Sequence, residues 1–341
     1  MQNWIQRTIG LTILPLALYG AAYAQASAGA VVMRTAQAAN ENPFAAGKTA
    51  AQALKTAMGA AEIKGVFYAE CFEDKANKEA VLKGIESVLG AGKVAGGAVY
   101  GSYTQGGVLT EDAVALLGIG GEGVSVTMAL EETLGAAGLT IEKDKDKLTQ
   151  ALGTAGNRLA KKLGNTGDAS LLILLGDAHS PKNQLLLDGV QAVVGKKLPI
   201  TGGSLNKNSG QNWLGFNGKL YTDAAVAMLV RSKSKVAQTG RKAKENDLVI
   251  STAKEGATEA IRKLGTAPDT LLAFDCAGRK GKLKNIADEL AAIQSAVGKT
   301  TTLFGCYCAG EFGPADTGDV ANKTTVYGRG WHVMFSALAQ P

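Results

Sequence analysis

The chain has 341 residues, 44 of them glycine, a formal charge of +6 and a mean hydropathy close to zero. That length suits about two domains, and the charge is too mild and scattered for a nucleic-acid partner. The densest basic stretch, holding Lys233, Lys235, Arg241, Lys242 and Lys244, has no interleaved aromatics and reads as a solvated linker.

At the N-terminus, Met1 to Arg7 carries one basic residue, and Thr8 to Ala24 is an uncharged run ending in Ala22-Tyr23-Ala24. A basic start, an apolar middle and a small-x-small end form a secretory signal peptide. The run is broken by Pro15 and Gly20 and is too short to span a bilayer comfortably. The expectation is a 1–24 signal cleaved before Gln25. The mature chain is then periplasmic or secreted and not membrane-embedded, with 25–39 as a linker.

From Gly65 the sequence repeats itself. Gly65 to Gly106 reads GVFYAEC, a helical piece, then GGAVYGSYTQG; Thr270 to Gly310 reads TLLAFDC, a helical piece, then TTTLFGCYCAG. Glu70-Cys71 falls on Asp275-Cys276, and Tyr100 to Tyr103 on Phe304 to Tyr307. A weaker copy lies between, from Ser170 to Asp177 and Leu198 to Gly203. Each copy opens with a continuous apolar run, as expected of a strand buried on both faces in parallel pairing. The helical pieces carry apolar residues on one stripe: Val81, Leu82, Ile85, Val88 and Leu89 in the first, and Leu185, Leu186, Val190, Val193 and Val194 in the second. In the last copy the stripe is Leu283, Ile286, Leu290, Ile293 and Val297. Each unit is therefore β-α-β, right-handed with parallel strands.

Antiparallel strands are added after the first two units. Asp112 to Ile119 and Val124 to Leu130 flank a glycine-rich reversal, and Asn217-Gly218 is a hairpin signal. Further helices fit Ala45 to Met58, Lys147 to Leu163 and Lys254 to Leu264. The fold class expected is α/β: repeated β-α-β units with added antiparallel strands, mixed sheets flanked by helices, in two related parts that face each other. The first part covers 40–231, the second 247–341, with 232–246 as linker.

Cys276-Ala-Gly-Arg279, Glu289, the run Gly305-Cys-Tyr-Cys-Ala-Gly-Glu311 and Asn322-x-Thr324 resemble the C-terminal half of FIST domains. Gly65 to Cys71, Gly97 to Gly107, Leu171 to Asp177, Leu198 to Gly203 and Phe216 to Gly218 resemble the N-terminal half. The family is one of predicted small-molecule sensory domains of bacterial signalling proteins. The resemblance thus implies a small-molecule ligand. Since no output domain accompanies it here, it also implies a separate signalling partner. Where the family's N-terminal turn reads like Gly-Cys-Ser-Thr-Ala-Gly-Glu, this chain has Gly101 to Gly107 and lacks the acidic residue.

Ligands of open α/β sheets sit beyond the carboxyl ends of the strands. Glu70, Cys71, Asp177, His179, Asp275, Cys276, Arg279, Cys306, Cys308 and Glu311 collect there. Arg279 suits a carboxylate or phosphate bidentately, and Glu311 suits a ligand amine, so an amino-acid-like ligand would use both. The alternative is an Arg279–Glu311 ion pair that locks two strand ends. With the resemblance, the candidate ligand-binding residues are Arg279, Glu311, Cys276, Asp275, Cys306, Tyr307, Gly310, Cys71, Ser102, Tyr103 and Asn322. The four cysteines fit three readings: a disulfide from Cys276 to Cys306 or Cys308, small buried hydrophobes, or a thiolate metal site.

No cofactor is expected. Some FIST-like proteins are thought to bind haem, but there is no Cys-x-x-Cys-His motif, and His179 is thin support for an axial ligand. Enzyme signatures are few. Gly118 to Gly123 fits the dinucleotide fingerprint by letters but lies between antiparallel strands, and Gly-x-Ser-x-Gly, the P-loop and His-Glu-x-x-His are missing. The reading is an exported sensory protein with no catalytic role. A thiol- or metal-dependent enzyme using Cys71, Cys276, Cys306 and Cys308 is the alternative.

Overall fold

The structure, a computed structural model, describes residues 29–205, 213–316 and 326–341. The segment 1–24, expected to be a signal peptide, and Asn322 lie outside them. Three successive units follow one plan. The first runs β1 (Val32–Ala39), α1 (Pro43–Met58), β2 (Ile63–Glu70), α2 (Lys75–Leu89), β3 (Val94–Ala98), β4 (Ser102–Thr104), β5 (Gly107–Leu109), β6 (Ala113–Gly120). The second runs β7 (Ser125–Glu131), α3 (Ile141–Lys161), β8 (Ala169–Gly176), α4 (Asn183–Val194), β9 (Ile200–Ser204), β10 (Leu214–Phe216), β11 (Lys219–Tyr221), β12 (Ala225–Arg231). The third runs β13 (Lys235–Lys242), α5 (Asn246–Leu264), β14 (Thr270–Cys276), a short α6 (Ala277–Lys280), α7 (Ile286–Val297), β15 (Thr302–Cys308), β16 (Glu311–Gly313), β17 (Tyr327–Arg329), β18 (His332–Ala339).

The three sheets are ordered β1-β6-β2-β3-β10-β11, β7-β12-β8-β9-β16-β17 and β13-β18-β14-β15-β4-β5. In each, the parallel pair (β2–β3, β8–β9, β14–β15) is the one expected from the repeat, and every other neighbour is antiparallel. Each unit gives its small hairpin away. The first unit's β4–β5 joins the third sheet, the second's β10–β11 the first, and the third's β16–β17 the second. The exchange is cyclic, so the first part (two units) and the second (one unit) interleave.

The repeated units and mixed sheets match the sequence reading, and Asn217 and Gly218 form the hairpin turn at φ 47° and 76°. Three details differ. The supposed linker 25–39 contains β1, paired along its whole length with β6. The supposed linker 232–246 contains β13, paired residue for residue with β18. Its lysines and polar residues mark a sheet edge, where charge discourages further pairing. The Gly120 to Gly123 reversal joins β6 and β7 in different sheets. Such a crossing needs residues at positive φ, which Gly121 and Gly123 supply.

Each sheet carries its own helix pair on the outside: α1 and α2, α3 and α4, α5 and α7. The inner faces of all three sheets meet in one core, where the Phe67 ring lies 5.8 Å from Phe274 and 5.1 Å from Phe304. Each such buried side chain stabilises by roughly 1.5–3 kcal/mol.

Candidate functional site

The carboxyl ends of the parallel pairs are stitched together by backbone bonds between units. Tyr100 N–H donates to the Tyr307 carbonyl at 2.9 Å, and Tyr307 N–H to that of Gly101 at 2.8 Å. Ser204 N–H donates to the Gly310 carbonyl at 2.8 Å, and Ala309 N–H to that of Ser204 at 3.1 Å. The expected strand-end residues of the third unit are therefore gathered at one place, together with Ser102 and Tyr103 from the first. They form a buried layer and do not line an open pocket.

Arg279 is the clearest correction. It is fully buried, and its guanidinium is engaged internally. Nε donates to Asp275 Oδ1 at 2.9 Å, Nη1 to Thr252 Oγ1 at 3.3 Å, and Nη2 to Glu289 Oε1 at 2.7 Å and to the Val249 carbonyl at 3.0 Å. Its partners are Asp275 and Glu289, both fully buried, so neither a ligand clamp nor an Arg279–Glu311 pair is formed. The reason is local: the α6 turn places Arg279 four residues after Asp275 and aims it at α5 and α7. Tyr307 joins this group, its hydroxyl donating to Glu289 Oε2 at 3.0 Å. Burial, reinforced by Glu289, pushes the Asp275 carboxyl well up from its ordinary range.

Glu311 is also fully buried. Its Oε2 accepts the His332 N–H at 3.3 Å, and the Cys276 thiol lies against the carboxyl. Burial, with Cys308 and Asp275 nearby, pushes its pKa well up. All four cysteines are free and buried. Burial and Glu311 push the Cys276 thiol up to about 12, against the pull of the Trp331 and Gly278 N–H groups. Cys306 and Cys308 hold their sulfurs 3.6 Å apart, and Cys71 sits with its sulfur 3.8 Å from the Leu109 carbonyl. Tyr103 packs on Tyr307 at 5.4 Å between ring centres and covers Gly305, where a Cβ would lie 2.1 Å from its ring. Gly310 lies against Ser180 and Asn183. Among the described residues no group of three or more His, Cys, Asp or Glu is arranged to hold a metal ion.

The open feature lies just above this layer. A cleft of about 560 Å³ runs between the first and third units at the strand ends. Glu73, Thr110 and Glu111 form one wall; Lys280, Lys284 and Asn285 form the other, with Tyr100 between. Lys280 donates to the Tyr100 carbonyl, and Asn285 caps α7 by accepting the Ala287 N–H at 3.2 Å. Among the described residues, none of the expected site residues lines this cleft. Two of its own residues lie one or two positions beyond them in sequence: Glu73 two after Cys71, and Lys280 one after Arg279. In the sequence they read as ordinary exposed charges, and only the hairpin exchange brings the two walls together.

The class defined by this architecture is an α/β protein of three exchanged β-α-β units with a polar cleft at a unit junction. The chain belongs to the FIST family: it matches the FIST N domain over residues 65–258 and the FIST C domain over 203–314. No curated protein matches it. Among solved structures it is similar to cyanuric acid hydrolase from A. caulinodans, at 10% identity over 91% of this chain and 99% of that one, with a TM-score of 0.48. A second cyanuric acid hydrolase structure, described as "evolutionary innovation by structural concatenation", covers 92% of this chain and 100% of its own at 10% identity, TM-score 0.45. T. maritima PurL complexed with ATP is more distant, at 9% identity over 90% of this chain and 71% of that one, TM-score 0.26.

Proposed function

We propose that this is an exported small-molecule-binding protein of sensory type, holding a small polar, amino-acid-like ligand in the cleft between its first and third units. The observation that carries the reading is the pairing of walls. Lys280 and Lys284 stand on one side, Glu73 and Glu111 on the other, at the strand ends where α/β ligands bind. A ligand with a carboxylate and an amine meets an opposite charge at each end. Both walls contribute only when the two units hold one relative position, so occupancy favours that position and a separate signalling protein reads it. Export rests on the basic, apolar and small-residue order of the first 24 residues.

A thermal-shift screen of the mature protein against amino acids, dipeptides and short organic acids tests the reading. A cognate ligand at a hundred times its Kd stabilises by about 2.7 kcal/mol. The expected outcome is stabilisation by zwitterions that Lys284→Glu and Glu111→Lys each abolish. If no compound shifts the melt, or the shift survives both substitutions, the cleft is not the ligand site.

A further inference from the structure

The buried layer under the cleft holds three thiols on two neighbouring strands. Side chains two apart share a face of a strand, so Leu272, Phe274 and Cys276 align in β14, and Phe304, Cys306 and Cys308 in β15. Leu272, Phe274, Phe304, Cys306 and Cys308 all enter the core between the sheets, which places Cys276 on that face as well. The parallel register sets Cys276 directly opposite Cys308. Paired strands lie about 4.8 Å apart, inside the window of roughly 4.4–6.8 Å between Cα atoms that a disulfide spans.

The thiols differ in access. Cys276 is 7% exposed, Cys308 1% and Cys306 0%. A reagent therefore meets Cys276 first, and Cys308 waits beside it. The backbone N–H groups of Trp331 and Gly278 face the Cys276 sulfur and partly offset the upward push of burial and Glu311 on its thiol. The Glu311 carboxyl lies against the same thiol, and its Oε1 accepts no conventional hydrogen bond, which leaves a lone pair for the thiol's proton. Trp331 itself sits at a φ of 64°, a costly conformation for a bulky residue, in the turn that delivers its N–H to this place.

We propose that Cys276 and Cys308 form a thiol–disulfide exchange site whose substrate is a small disulfide of the glutathione-disulfide class. Where Glu311 is ionised, Cys276 passes its proton to that carboxylate and its sulfur attacks one sulfur of the donor. The donor S–S bond breaks, a mixed disulfide forms on Cys276, and the first donor thiolate leaves with the proton. Cys308 then loses its proton and attacks the Cys276 sulfur, expelling the second donor thiol. Two protein thiols are oxidised by two electrons and one donor disulfide is reduced to two thiols. The site is independent of the cleft reading and fails or stands without it.

The test uses the reduced full-length mature protein and oxidised glutathione. Thiols are counted after denaturation and linkages mapped by peptide mass spectrometry. Two of the four thiols should disappear, joined as Cys276–Cys308, and return on reduction. Cys308→Ser should stop at a glutathione adduct on Cys276, and Glu311→Gln should slow adduct formation at least tenfold while the adduct stays on Cys276. The proposal is overturned if the native protein keeps all four thiols while the unfolded chain reacts, if the first adduct maps to another cysteine, or if the bond found is Cys306–Cys308. Wild-type mapping decides these outcomes even where a variant does not fold.

Discussion

Replacing Arg279 by alanine separates a structural arginine from a ligand clamp. The guanidinium lies between Asp275 and Glu289, none of the three having any exposed side-chain surface. Removing it leaves two carboxylates facing each other in the interior and takes one donor from the Val249 carbonyl. Breaking a buried pair by deleting one partner costs about 3–5 kcal/mol, and the upper end applies here because two buried carboxyl groups lose their shared partner. A chain of this size has a urea m-value of about 3 kcal/mol/M, so the unfolding midpoint should fall by about 1.3–1.7 M. Arg279→Lys keeps a charge but cannot bond both carboxylates in a fork, and should fall between alanine and wild type. Equilibrium urea unfolding followed by far-UV circular dichroism measures all three. A midpoint for the alanine variant within about 0.2 M of wild type, accompanied by loss of ligand response, would refute this reasoning and return Arg279 to the role the sequence first suggested.

Glu311 has a folded pKa raised above its unfolded value, so its contribution to stability is complete below about pH 4.3 and is lost as pH rises through the folded value. Wild type should therefore lose stability relative to Glu311→Gln between pH 4 and pH 8; equal gaps in urea midpoint at both ends would contradict this. Gly305→Ala would drive a Cβ to 2.1 Å from the Tyr103 ring, and overpacking of that kind costs about 1–3 kcal/mol, readable as a lowered melting temperature. Gly218 sits at φ 76° with room beside it except for the end of the Glu86 side chain, so Gly218→Ala should cost about 1–2 kcal/mol from backbone conformation alone.

The repeat was legible because its physics is local: a both-face-buried strand is a continuous apolar run, and a helix shows its stripe. Phe274 and Phe304, Ile85 and Ile293 thus declared their elements before any packing was known. The edge strands were not legible. β13 carries lysines at both ends around a short polar and small-residue run, and nothing in Lys235 to Lys242 distinguishes a solvated linker from a strand paired with β18 nearly a hundred residues away. The candidate site divided in the same way. Strand-end residues could be named from position alone, and among the described residues those of the third unit lie together with Ser102 and Tyr103. Whether a strand-end charge faces inward or outward depends on what covers it. Arg279 is covered by α5 and α7, while Lys280, the next residue, turns into the cleft. One residue of helical rotation separates a buried tie from a cleft wall, and no sequence pattern records that difference.

The cyclic exchange of hairpins bears on where the chain divides. A boundary after Arg231 suits the order of units in sequence, yet a fragment ending there would leave β4–β5 without β15, and β9 without β16. The same cut would strip Leu272, Phe274, Phe304, Cys306, Cys308 and Leu338 from the shared core. Unpaired edges and an open apolar face favour aggregation over a compact fold. A fragment of residues 29–231 should bind a hydrophobic dye, unfold without cooperativity and become soluble on co-expression with residues 232–341. Cooperative unfolding of the isolated fragment, with a slope in proportion to its length, would mean that each sheet holds without its borrowed hairpin. The cleft, with one wall from each fragment, should bind ligand only after the two are joined.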